Sequence, residues 1–239
     1  MTNREANAVP TSEPSTRPAP AHANHARTHR GPPGTRNPPP RHLPGSPRRG
    51  RLAGRRRSAA TGTTVVLRDG SAVLIRQIQA TDAPLLAGIF ARLSPASRWM
   101  RFLAAKNHLT EAELRYLTDV DHHDHEALAA LAPDGYGIGA ARYIRYPHDP
   151  HTAEIAIAVV DDWHRRGLGT HLLAQLSDRA HHHGVRRFAA LISADNKAMA
   201  GLLATINAEV THRDAGTVEY QIALWPAAER HRQPTPHTG

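Results

Sequence analysis

Residues 153–170 read Ala-Glu-Ile-Ala-Ile-Ala-Val-Val-Asp-Asp-Trp-His-Arg-Arg-Gly-Leu-Gly-Thr and set two kinds of chemistry side by side. Glu154 is the one carboxylate on an otherwise apolar run, and period-two alternation puts it on one strand face with Ala156, Ala158 and Val160. Partial burial there would raise its pKa toward the range in which a carboxylate takes a proton from an ammonium, directly or through water. The blander account is a solvated residue at a strand start. Downstream, Gly167 and Gly169 let backbone N–H groups approach a ligand where a helix begins, and unpaired amides with the helix dipole favour phosphate. Arg165 and Arg166 add guanidinium charge suited to a diphosphate. The run Gly-Leu-Gly-Thr-His-Leu lacks the third glycine of a dinucleotide fingerprint, and no Gly-Lys-Ser/Thr follows to make a P-loop.

Other residues invite chemistry with less support. His164 beside the glycines could touch phosphate, act as a base or simply be exposed, the last being the plainest reading. His122-His123-Asp124-His125 and His181-His182-His183 are dense, but adjacent side chains diverge and cannot easily converge on one ion, so no metal site is expected. Trp99 and Trp163 read as packing residues.

The elements that must position these groups begin near residue 65. Val65–Leu67 and Ala72–Ile78 flank Asp69-Gly70, a strong hairpin signal. Asp82 is expected to cap a helix to about Leu93, a second helix follows Ser94-Pro95, and Thr110 with Glu113 forms a capping box for a third. Strands are expected at Ala127–Ala132, Gly137–Tyr146 and Ala153–Val160. A helix from about Gly169 to His183 buries Leu172, Leu173, Leu176 and Ala180 and stops at Gly184. Strand Val185–Ser193, helix Asn196–Asn207 and strands near Glu209–Arg213 and Val218–Leu224 complete an α/β or α+β domain with a mixed sheet.

Charge divides the 239-residue chain. Residues 1–60 hold twelve Arg against Glu5 and Glu13, a balance of +10, so the formal +9 of the whole chain leaves residues 61–239 at −1. Eleven of nineteen prolines also lie in residues 1–60, and such a segment has little to bury against its ordering entropy. It reads as a disordered Pro/Arg-rich tail. One role for it is an electrostatic arm making weak nucleic-acid contact; the other account is codon bias, since 28 Arg stand against only Lys106 and Lys197. The domain plan is therefore tail 1–60, folded domain 61–226 and a short disordered tail 227–239. With no cysteine, disulfide scaffolds, thiolate metal sites and cysteinyl intermediates are excluded. No apolar window is long enough to span a bilayer, so no membrane partner is expected and the reading is a cytoplasmic protein.

Residues 65–226 resemble the GNAT family of acetyl-CoA-dependent N-acetyltransferases. His164 to Gly169 is similar to that family's pyrophosphate motif, Gln/Arg-x-x-Gly-x-Gly/Ala, with His164 departing at the first position. Asp195-Asn196-Lys197-Ala198-Met199 before a helix matches as well, and Leu93–Phe102 with Ala153-Glu154 looks like the bacterial protein lysine acetyltransferase branch. The resemblance implies a mostly antiparallel sheet of about seven strands, splayed between strands 4 and 5 and flanked by helices. It also implies acetyl-CoA as co-substrate, with Ile157, Ala158 and Val159 presenting backbone groups to the pantetheine and thioester. Arg165, Arg166, Gly167, Leu168, Gly169 and Thr170 would wrap the pyrophosphate, Asn196 would touch the cofactor at the splay, and Glu154 would be the general base. Many members place a tyrosine general acid where this chain has Leu203. The function implied is direct transfer of an acetyl group to a primary amine, with a protein lysine favoured. The alternatives are a small-molecule amine acetyltransferase or a non-catalytic acyl-CoA-binding sensor.

Overall fold

The computed structural model describes residues 62–224. The tails expected at residues 1–60 and 227–239 lie outside the described residues. Eight strands form one sheet in the order β1-β2-β3-β4-β5-β6-β8-β7. The strands are β1 Gly62–Val66, β2 Ala72–Gln77, β3 His125–Leu131, β4 Gly137–Tyr146, β5 Asp149–Val159, β6 Arg187–Ser193, β7 Glu209–Arg213 and β8 Thr217–Ala223. The helices are α1 Ala83–Ala91, α2 Pro95–Phe102, α3 Glu111–Thr118, α4 Leu168–His182 and α5 Lys197–Ala204. The eight strands match those read along the sequence and exceed by one the seven or so that the family resemblance implies, the additional strand being β1 at the sheet edge, paired antiparallel with β2. Gly70 takes φ +84°, the left-handed conformation this turn needs.

Every neighbouring pair is antiparallel except β5 and β6. Parallel partners need a long crossover, here supplied by α4. That helix buries Leu168, Leu172, Leu176 and Ala180, spaced every four residues, against one sheet face with Ile155, Tyr143 and Leu128. Leu86 and Ile89 of α1, with partly buried Leu114 and Leu117 of α3, cover the other face over Ala127, Ala129 and Val160. Burying each such aliphatic side chain contributes ~1.5–3 kcal/mol.

Two expectations about local roles change. Asp82 stands before α1 but its carboxylate does not cap the helix. It is pinned instead by the Arg76 guanidinium at 2.5 and 2.8 Å and by the Gln79 N–H at 2.8 Å, since a buried carboxylate gains more from a bidentate cation than from one helix amide. Trp99 is 51% exposed instead of packed, while Trp163 is partly buried against both halves of the core. The Thr110–Glu113 capping box forms as read, with Glu113 N–H to Thr110 Oγ1 at 3.2 Å and Thr110 N–H to Glu113 Oε2 at 2.9 Å.

Candidate active site

The parallel pairing of β5 and β6 runs only from Thr152 with Arg187 to Glu154 with Ala189, after which the strands part. The splay expected between strands 4 and 5 is thus found between β5 and β6, one number later because of the extra N-terminal strand. β5 keeps its antiparallel ladder to β4 as far as Val159 with Gly139. Val160 N–H donates to Ile138 O at 2.9 Å, which makes Val159 and Gly139 a non-hydrogen-bonded pair. The alternation then gives the β4-facing bonds to Ala158 and turns the N–H and C=O of Ile157 and Val159 into the splay. Ala158, expected to present backbone to the ligand, contributes its methyl side chain while its backbone stays in the ladder. Val159 O accepts from His164 Nε2 at 2.8 Å, so the exposed His164 ring steadies the strand end.

The chain then turns through residues 161–163 and a loop in which Arg165 and Gly167 both have positive φ, +60° and +90°. A non-glycine in that region costs ~1–2 kcal/mol, and here it folds the loop back over the start of α4. The first helical bond is His171 N–H to Gly167 O at 3.2 Å. The amides of Leu168, Gly169 and Thr170 therefore have no acceptor within the helix and point from its N-terminus.

A cleft of about 530 Å³ joins these features. Ile157, Ala158 and Val159 line it at the strand end, Arg165, Gly167, Leu168, Gly169 and Thr170 at the helix start, and Asn196 across the splay. Asn196 precedes α5 and its Oδ1 accepts from Met199 N–H at 3.0 Å. Nine of the ten expected ligand residues meet in one cavity.

Arg166 is the exception, because its guanidinium is committed elsewhere. It pairs with Asp69 at 2.8 Å and stacks over Trp163 at 4.7 Å. The cation that lines the cleft beside Gly167 is Arg68, which sequence reading passed over. Arg68 N–H donates to Arg166 O at 3.0 Å, so the β1–β2 turn is clipped to the loop. Arg68 follows the first strand as an ordinary turn residue, and only the sheet edge brings it alongside a loop 97 to 99 positions away.

Glu154 lies on the β5 face expected, with Ala156 and Ala158, but it is exposed where partial burial was expected. Its charge acts on Arg101 of α2. Burial pushes the Arg101 guanidinium down to about 10, and the Glu154 charge pulls it back up. Arg101 lines the cleft with Ser97 and Met100. The base of α2 is fixed by Asp161, whose carboxylate accepts from Ser94 N–H, Ser94 Oγ and Ser97 Oγ at 2.9, 2.7 and 2.8 Å. Leu203 is fully buried and serves as core. Within the first histidine tract each ring has its own partner: His122 meets Glu126, His123 meets Asp124, and His125 accepts from Arg142 at 3.1 Å, while the His123 ring also lies 5.2 Å from that of His183.

Comparison with known proteins bears on this geometry. Residues 95–205 match the family described as Acetyltransferase (GNAT) family. Acetyltransferase Pat of Mycolicibacterium smegmatis is 32% identical over 191 residues, covering 77% of this chain and 56% of that protein. The chain therefore spans little more than half of that relative's length. Acetyltransferase PA5475 of Pseudomonas aeruginosa is 34% identical over 139 residues, covering 57% of this chain and 74% of that protein. Among solved structures, the GNAT domain of S. lividans PAT superposes with a TM-score of 0.65 at 29% identity, covering 68% of this chain and 97% of that one.

Proposed function

From the premise that this chain belongs to the acetyltransferase (GNAT) family, we propose that it moves an acetyl group from acetyl-CoA to a primary amine by direct transfer, with Glu154 as general base and a protein lysine as the favoured acceptor. The observation that carries the reading is the single cleft running from the free amides of Leu168–Thr170 to the strand end at Ile157–Val159. Those residues fit the group: helix-start amides with Arg165 and Arg68 suit a diphosphate, and the splay admits a narrow chain.

When bound, the thioester supplies the acyl group and a thiolate leaving group. The amides of Leu168, Gly169 and Thr170 hold the diphosphate, with Arg165 and Arg68 neutralising it. Val159 N–H, turned into the splay, donates to the carbonyl oxygen as negative charge builds there. Glu154 takes the proton of the incoming ammonium. Ala158 lies four positions further along the strand, roughly 13 Å at ~3.3 Å per residue, so the proton passes through water over the Ala156 methyl. The face it crosses is shaped by small side chains, which suits an extended alkyl amine such as lysine. Among the described residues no helix is long and apolar enough to cross a membrane.

The exposure of Glu154 and the burial of Leu203 give one second reading substance: an acyl-CoA-binding sensor without turnover. Glu154→Gln separates the two. Calorimetric titration should show acetyl-CoA binding retained, while thiol release with an amine acceptor falls by ~10²–10⁴-fold. Equal rates in both proteins would remove Glu154 from catalysis.

A further inference from the structure

Beyond the large cleft lies a second, smaller cavity of about 40 Å³, lined by Leu93, Phe102, Leu117, Ala140, Arg142, Ala156, Ala158 and Arg101 among others. It shares Leu93, Arg101 and Ala158 with the cleft, so it opens where the acyl group and the amine would meet. Its lining is apolar apart from two guanidinium groups. Arg142, on β4 opposite Ala156, is 6% exposed. It donates to His125 Nε2 at 3.1 Å and to Leu117 O at 3.3 Å, both neutral acceptors. Arg101 reaches the cavity from α2 and lies over its neighbour Phe102 at 4.8 Å.

Among the described residues neither arginine takes part in an ion pair, unlike Arg76, which faces Asp82. Arg142 is buried and Arg101 half-buried, so their like charges oppose each other: burial, and then the Arg101 charge, pushes Arg142 down to about 9, while the exposed Glu154 carboxylate acts on Arg101. Such an arrangement is costly unless an anion completes it. A planar carboxylate matches the guanidinium fork, and the cavity has room for only a few atoms beyond the reacting centre.

We propose that Arg101 and Arg142 form a carboxylate-recognition site, selecting a substrate that carries a carboxylate a few atoms from the transferred acyl carbonyl. This rests on the acyl-CoA reading above. The carboxylate has two sources, a dicarboxylic acyl group on CoA or the carboxylate of the amine acceptor.

The test uses the full chain and calorimetry in two arms. The first compares succinyl-CoA with butyryl-CoA, similar in length and neutral. The second compares lysine with lysinamide binding to the CoA complex. The expected result is a preference of about tenfold or more, ~1.4 kcal/mol, for the carboxylate ligand in one arm, which names the source. Arg101→Gln should bring that ratio toward one. Arg142→Gln should do the same where it folds; because Arg142 also ties β4 to α3, Arg101→Gln is the deciding variant. Acetyl-CoA binding with ratios below about twofold in both arms, or a ratio that Arg101→Gln does not change, overturns the inference and leaves the acetyltransferase reading intact. Failure to bind any acyl-CoA overturns that reading and the inference with it.

Discussion

Arg68 and Arg166 make a decisive comparison, because the sequence counts Arg166 with Arg165 among the residues around the phosphate, whereas in the tertiary structure Arg68 lines the cleft and Arg166 does not. Arg68 lies along Gly167, where a Cβ on the glycine would stand 3.5 Å from its Cγ and Nε. Arg68 lines the cleft, whereas the Arg166 guanidinium is held by Asp69 at 2.8 Å. A hydrogen bond to a charged group contributes ~1.5–3 kcal/mol, and the exposure of Arg68 places it at the low end through solvent screening. Arg68→Gln should therefore raise the CoA dissociation constant about tenfold at low salt. It should also flatten the loss of affinity as salt rises, since one cation fewer meets the diphosphate. For Arg166 the clean control is the double variant Asp69→Asn/Arg166→Gln, which removes the pair without leaving a bare carboxylate beside the ligand. Its dissociation constant should stay within about threefold of wild type, as expected of an exposed pair. Calorimetry on the three proteins, with circular dichroism to verify folding, decides the matter. A larger loss in the double variant than in Arg68→Gln would refute the assignment and return the phosphate contact to Arg166.

Two further predictions concern stability. Arg76→Met should lower the unfolding free energy by ~3–5 kcal/mol, because it strands the Asp82 carboxylate, whose side chain is 10% exposed. The double variant Arg76→Met/Asp82→Leu should recover much of that loss in urea denaturation. The second prediction is a pH dependence centred on His125, which burial and then the Arg142 charge push down from 6.5 to about 4. Between those values the unfolded chain binds a proton that the folded chain refuses, so stability is full above the unfolded value and falls as the pH drops through the window. His125→Gln keeps an acceptor for Arg142 and should remove up to one proton, ~1.4 kcal/mol per pH unit, from the slope. An unchanged urea midpoint profile would show that His125 does not titrate there.

The acid range also touches Asp82. Burial pushes its carboxyl up, yet the Arg76 hydrogen bonds, the Gln79 amide and the Arg76 charge together hold it below the usual carboxylate range. Its stabilisation is present above the unfolded carboxylate value and is lost as the pH falls through the folded one, below the His125 window.

The sequence by itself determined what depends on neighbours along the chain. Leu168, Leu172, Leu176 and Ala180 repeat every four residues and could bury only as a helix stripe. Asp69-Gly70 specified its hairpin, Thr110 and Glu113 their capping box, and Gly167-Leu168-Gly169 a helix start with free amides. These are local effects of backbone conformation and side-chain period, so a single sequence carries them. Tertiary structure alone decided which groups from distant elements share a space. It paired Asp82 with Arg76, drew Arg166 to Asp69 and left Arg68 in the cleft. It exposed Glu154 by parting β5 from β6 after the Ala189 pairing, and it buried Arg142 beside Arg101 over the same face. Burial and charge partnership depend on three-dimensional distance, which sequence separation does not encode. That is why the glycine loop and Arg165 were legible from residues 164–170, while the place of Arg68 and the pairing of Arg166 were not.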